Sequence, residues 1–151
     1  MQRREKNKPE IFSIYLVDDD LEDQEIFMEA ISQIDTLVEL KTFDNADELL
    51  LCLKTDSPNP DVIFLDLYMP RKDGEECLKE IRDDNGLDMI PIVVYSTEFD
   101  LDRIEHLFSL GANRYLRKPN SYGSLIASLD RTIDSIKRNT LGGTAIINII
   151  V

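Results

Sequence analysis

The sequence predicts an α/β protein with a doubly wound parallel sheet of five strands, each followed by a helix. Three observations lead there. Short apolar runs alternate with amphipathic helical stretches in the order β-α, five times over. Three of those runs are almost unbroken, as strands covered on both faces require. The connections are short, so parallel strands must be joined by right-handed crossovers through the helices.

The first strand is Ile11 to Val17 (IFSIYLV), the third Val62 to Leu65 (VIFL) and the fourth Ile90 to Tyr95 (IPIVVY). Leu37 to Phe43 (LVELKTF) and Asn113 to Arg117 (NRYLR) carry charged or amide side chains within the run, which suits edge strands. The intervening helices show apolar stripes at helical spacing. Ile26, Phe27, Ala30, Ile31 and Ile34 mark the first, and Leu49, Leu50 and Leu53 the second. Leu78 and Ile81 mark the third, Ile104, Leu107 and Phe108 the fourth, and Leu125, Ile126, Leu129, Ile133 and Ile136 the fifth. Asn45 followed by Glu48 reads as a capping box, and Gly111 falls where a helix would close on a left-handed residue. Met69-Pro70 with Lys72, Asp73 and Gly74 reads as a turn into the third helix, with glycine at the awkward backbone position.

At 151 residues the chain suits one core. Thirty acidic residues against seventeen basic give a net charge of -13, which repels the phosphate backbone of nucleic acids and argues against DNA binding. No apolar stretch approaches the ~20 residues that span a bilayer. Cys52 and Cys77 have neither metal-ligand nor CxxC spacing, and reduced thiols fit a cytoplasmic protein. Residues 1–10 read as a flexible basic arm ahead of a domain spanning 11–139.

In a doubly wound sheet the ligand crevice lies outside the carboxyl ends of the strands. The first strand ends in Asp18, Asp19 and Asp20, the third in Asp66, the fourth in Ser96 and Thr97, and the fifth in Lys118-Pro119. Asp20 is read as the cap of the first helix. Asp18, Asp19 and Asp66 would gather three carboxylates, and two such charges about 4 Å apart repel by roughly 4 kcal/mol at an intermediate dielectric. A cation must sit among them. An all-oxygen site with few ligands suits Mg²⁺, with Mn²⁺ as a stand-in. Asp66 would then act as nucleophile toward a phosphoryl group, with Lys118 supplying positive charge to the transferring oxygens.

The motifs YLVDDD (Tyr15 to Asp20), FLDLYMPRKDG (Phe64 to Gly74), PIVVYST (Pro91 to Thr97) and GANRYLRKP (Gly111 to Pro119), in this order, resemble the receiver domain of bacterial response regulators. The resemblance runs from Ile11 to Ile136 and implies a flavodoxin-like (βα)5 fold with strand order 2-1-3-4-5. It makes Asp66 the phosphoacceptor, carried as 4-aspartylphosphate, and Asp18 and Asp19 the acidic pair for Mg²⁺, with Asp19 the more direct ligand. The backbone carbonyl of Tyr68 would complete the protein ligands. Ser96 stands at the switch hydroxyl, Tyr115 at the switch aromatic that turns from exposed to buried, and Lys118 at the phosphate-contacting lysine. Tyr68 and Glu98 occupy positions that modulate loss of the phosphoryl group. The Lys118-Pro119 peptide resembles the cis bond of the family. The implied phosphodonor is a sensor histidine kinase or phosphotransfer protein, and the output a protein target. Transfer would be self-catalysed, with no turnover enzyme.

With 33 residues after Lys118, no DNA-binding or enzymatic output domain is expected, which fits the stand-alone kind of regulator. The YMPRKDGEECLKEIR segment is similar to regulators paired with phytochrome-like kinases. His106 is read as a surface residue without a phosphotransfer role. The apolar extension 140–151, ending TAIINIIV, reads either as a strand that docks on a sheet or on a second copy, giving a homodimer, or as an unstructured tail. Among rivals, an aspartate-nucleophile phosphatase of the haloacid dehalogenase type needs a second Asp where Tyr68 stands. A flavin binder needs a phosphate loop where three aspartates stand. A degenerate receiver that binds partners without phosphorylation shares all the motifs.

Overall fold

A computed structural model describes residues 10–141 and 145–147 of the chain. The basic arm, apart from Glu10, lies outside the described residues, as do 142–144 and 148–151 of the extension. Strands β1 (Phe12–Val17), β2 (Val38–Phe43), β3 (Val62–Asp66), β4 (Ile92–Ser96) and β5 (Arg114–Arg117) alternate with helices α1 (Leu21–Ile31), α2 (Ala46–Leu53), α3 (Gly74–Arg82), α4 (Leu101–Ser109) and α5 (Tyr122–Arg138). A short 3-10 turn, Asn85–Leu87, follows α3.

The sheet has six strands rather than five: β6 (Ala145–Ile147) adds to the far edge, giving the order 2-1-3-4-5-6, all parallel. Its register sets Arg114 opposite Ala145, Tyr115 opposite Ile146 and Leu116 opposite Ile147. Strand β5 is therefore interior, and its charged Arg114 is buried, not an edge marker. The guanidinium turns back onto the C-terminal end of α5. It donates to the Ser135 hydroxyl at 3.1 Å and to the carbonyls of Asn139 at 2.8 Å and Thr140 at 3.1 Å. Asn139 and Thr140 follow the last residue of α5, so Arg114 ties the chain leaving that helix back to β5.

Each face of the sheet carries a core. Leu49, Leu65, Leu78, Ile81, Val94, Ile104 and Leu107 pack under α2, α3 and α4. Ile14, Phe27, Phe64, Leu129 and Ile133 pack under α1 and α5. Ile146 leans on the first core and Ile147 on the second, so β6 extends both. The α1 stripe is Gln24, Phe27, Ala30 and Ile31, whereas Ile26 is exposed because it sits about a quarter turn off that face. Phe27, Phe64 and Tyr95 meet edge-on with centroids 5.1 to 6.2 Å apart beneath the strand ends.

Helix starts follow the capping expectations, with two amendments. Asn45 accepts from the Glu48 amide at 2.9 Å, but Glu48 reaches the Asp44 amide, so the box is not reciprocal. The reciprocal box is Asp73 with Glu76, opening α3. In the turn before it, the left-handed residue is Arg71, with φ 69°. Gly74 serves close approach instead: a Cβ there would stand 2.8 Å from Leu67 Cα, against the loop that carries Asp66. Gly111 does take the left-handed conformation, with φ 111°. Among the described residues, no helix is long and apolar enough to cross a membrane.

Candidate functional site

Four strand ends converge on one acidic crevice. Strand β1 runs into Asp18 and Asp19, β3 ends at Asp66, β4 at Ser96, and β5 runs into Lys118. Carboxylate oxygens of Asp18, Asp19 and Asp66 lie within 4.8 Å of one another, Asp18 and Asp66 buried and Asp19 exposed. The cation among them in the structure is the Lys118 ammonium, 3.1 Å from Asp18 Oδ2 and 3.7 Å from Asp66 Oδ1. It also stands 4.9 Å over the Tyr95 ring, which fixes its stem against the sheet. The Lys118-Pro119 bond is trans, contrary to the cis expectation. The β5 direction and these carboxylates suffice to aim the lysine.

Burial dominates the electrostatics. It pushes the Asp66 carboxyl up to about 7; Lys118 opposes this, and the neighbouring Asp18 and Asp19 add to it. Asp18 is raised by burial as well, against the pull of an amide bond from Asp20 and of Lys118. Burial alone would lower Lys118, but the Asp66 and Asp18 charges, with bonds to Asp23 and Asp18, hold the ammonium above its ordinary range. A cluster of three carboxylates, two of them buried, with one ammonium is short of positive charge. Its all-oxygen donor set fits a hard divalent cation.

Asp20 caps α1 as expected, accepting from the amides of Glu22 and Asp23 at 2.9 and 3.3 Å. Two residues of α1 escaped the sequence reading. Gln24 is buried and donates to the Asp18 carbonyl at 2.6 Å and to Asp44 Oδ1 at 2.9 Å, which ties the acidic loop to the end of β2. Asp23 bonds Lys118 Nζ at 3.0 Å. Their signal was the cap itself: with Asp20 at the N-cap, residues 23 and 24 fall one turn later, beside the strand ends.

Ser96 is buried at the end of β4, its hydroxyl accepting from the Glu98 amide at 3.2 Å. Tyr115 is buried too, with its hydroxyl donating to the Glu98 carbonyl in a short bond, so the ring occupies the inward position. Burial raises its phenol, and the Ser96 hydroxyl opposes the shift. Two residues after Asp66, the half-exposed Tyr68 donates to Glu98 Oε1 at 2.5 Å and its ring lies 5.9 Å from the Arg103 guanidinium. Arg103 and His106 in turn approach Glu75 at 3.4 and 3.3 Å. The lone histidine is thus a surface residue with a carboxylate partner.

The family described as response regulator receiver domain matches residues 14–130. Rcp1 of Synechocystis sp. is 41% identical over 69 residues, 46% of this chain and 47% of Rcp1. The transcriptional regulator NtrC of Salmonella typhimurium is 35% identical over 92 residues, 61% of this chain and 19% of NtrC. The chain thus spans half or less of the length of these curated relatives. Among solved structures, the phosphorylated cyanobacterial phytochrome response regulator RcpA superposes with a TM-score of 0.76 at 32% identity, covering 87% of this chain and 96% of that one. The Mn²⁺-bound form of Rcp1 superposes with a TM-score of 0.70 at 29% identity, over 86% and 94% respectively. With its fold, its acidic crevice and these matches in agreement, the chain belongs to the receiver domain family of two-component response regulators.

Proposed function

We propose that this receiver works as a single-domain response regulator in the cytoplasm. It takes a phosphoryl group from a histidine kinase or phosphotransfer protein onto Asp66 and signals to a protein partner by changing shape. The observation that carries this reading is the convergence of Asp18, Asp19 and Asp66 within 4.8 Å beside the Lys118 ammonium. In this account the Asp66 carboxylate attacks phosphorus as the bond to the donor nitrogen breaks. Lys118 takes up charge on the transferring oxygens. The chain catalyses transfer to itself and turns over no separate substrate.

Asp19, Asp18, Asp66 and the Tyr68 carbonyl would hold Mg²⁺, whose charge would offset that of the phosphoryl oxygens. Both oxygens of Asp18 already accept bonds, from Lys118 and from the Asp20 amide, which supports Asp19 as the more direct ligand. The Mn²⁺-bound form of Rcp1 supports a divalent ion, with Mn²⁺ able to replace Mg²⁺.

Ser96 and Tyr115 are the switch. A phosphoryl oxygen on Asp66 offers the Ser96 hydroxyl a charge-assisted bond. Taking that bond draws the β4–α4 loop, whose Glu98 carbonyl the Tyr115 hydroxyl already holds. Tyr68 and Glu98, hydrogen-bonded to each other beside the ends of β3 and β4, would limit the access of water to the phosphoryl group. The test is incubation with acetyl phosphate and Mg²⁺ followed by intact mass. Gain of one phosphate in the wild type and none in Asp66→Asn supports the reading; no gain in the wild type refutes it.

A further inference from the structure

Lys118 Nζ has three protons to donate. Two of them are directed at Asp23 Oδ2, 3.0 Å away, and Asp18 Oδ2, 3.1 Å away, while Asp66 Oδ1 at 3.7 Å lies beyond hydrogen-bond reach. Asp23 differs in kind from the other carboxylates. It stands in the first turn of α1, held there by the Asp20 cap, and is not one of the three whose oxygens gather within 4.8 Å. Its carboxylate accepts a hydrogen bond from the lysine. We infer that Asp23 is a positioning residue that restrains Lys118 away from Asp66 and so slows entry of a phosphoryl group.

The inference rests on the phosphoacceptor role proposed above for Asp66. A transferring phosphoryl group presents three acceptor oxygens and draws the ammonium toward them. With Asp66 Oδ1 3.7 Å away, movement toward that group draws Lys118 off one of its two existing bonds. Asp18 is fully buried and would be left with an uncompensated charge. The Asp23 side chain keeps 38% of its exposure and regains water when released. The Asp23 bond is therefore the one that yields. A contact present before transfer and lost during it stabilises the starting state alone, which raises the barrier. For a part-exposed ion pair this corresponds to roughly a 1.5- to fivefold change in rate.

The experiment follows phosphorylation of the full chain by acetyl phosphate at saturating Mg²⁺, as a time course of intact mass. Asp23→Asn is expected to take up phosphate roughly 1.5- to fivefold faster than wild type, with Asp23→Glu restoring the slower rate. Glu22→Gln, which removes another first-turn carboxylate outside the Lys118 cluster, is expected to leave the rate unchanged. Should Asp23→Asn unfold, Asp23→Ser repeats the test with a smaller polar side chain. An Asp23→Asn rate equal to or below wild type, or an equal acceleration in Glu22→Gln, overturns the inference. If the wild type takes up no phosphate at all, it is the phosphoacceptor role that fails.

Discussion

Replacing Asp66 by asparagine keeps the shape of the side chain and removes a charge that the fold holds at a cost. Burial raises this carboxyl from 3.8 to about 7. Because the folded-state value lies above the unfolded one, the folded protein binds the extra proton between those limits, and stability falls as pH rises from about 4 to about 7. At ~1.4 kcal/mol per tenfold in proton activity, the full gap corresponds to about 4 kcal/mol. Asparagine forgoes the attraction to Lys118 and must satisfy its own amide, so a net gain of about 1–2 kcal/mol is expected at pH 8 without divalent ions. Urea unfolding of both proteins in EDTA, at pH 8 and pH 5, measures it. Asp66→Asn should be the more stable at pH 8, and between pH 8 and pH 5 its advantage should fall by about 2–3 kcal/mol, enough to reverse the order, because the folded wild-type carboxyl is neutral at pH 5. Lys118 stays charged across this window, its pKa being raised further, and does not confuse the result. An Asp66→Asn protein as stable as wild type or less stable at pH 8 would refute the claim that burial penalises the charge.

Tyr68→Ala removes the ring and its bond to Glu98, and is expected to shorten the lifetime of the phosphorylated form by roughly two- to fivefold, in line with the loss of one hydrogen bond. Mass measured at intervals after removal of phosphodonor gives the lifetime; an unchanged value would remove Tyr68 from the account. Arg114→Met leaves the end of α5 without its buried donor and should cost about 2–4 kcal/mol. Hydrogen exchange should show the β5–β6 pairing opening first. A chain ending at Thr140 loses β6, and with it the cover given by Ile146 and Ile147, for about 1–3 kcal/mol of stability. Because β6 pairs within its own chain, light scattering should give the same mass as the full chain; a fall from dimer to monomer would contradict that pairing.

Strands β1, β3 and β4 were legible because buried parallel strands write themselves as unbroken apolar runs, and the residues at their ends followed from topology. Asp18, Asp19, Asp66 and Lys118 were therefore found together before any geometry. What escaped depends on rotation and on partners far along the chain. Whether α1 turns Ile26 or Gln24 inward differs by half a turn, which a stripe of mixed apolar residues does not settle. Arg114 read as an edge residue because its charge is visible in the sequence and its partners, the carbonyls of Asn139 and Thr140, are not. The extension TAIINIIV reads as a docking strand or as an unstructured tail, and nothing in it names β5 as a neighbour or distinguishes its own chain from a second copy. Backbone demands were misplaced by a few residues in the turn before α3, where Arg71 takes the left-handed conformation and Gly74 the close contact.

The central claim is that the Asp66 side chain itself, rather than another carboxylate of the crevice, receives the phosphoryl group. Borohydride reduction of protein treated with acetyl phosphate and Mg²⁺ converts an aspartyl phosphate to homoserine, and peptide sequencing by mass spectrometry then locates it. The account predicts homoserine at position 66 and unmodified Asp18, Asp19 and Asp23. Homoserine at any of those three, or at none, would contradict it.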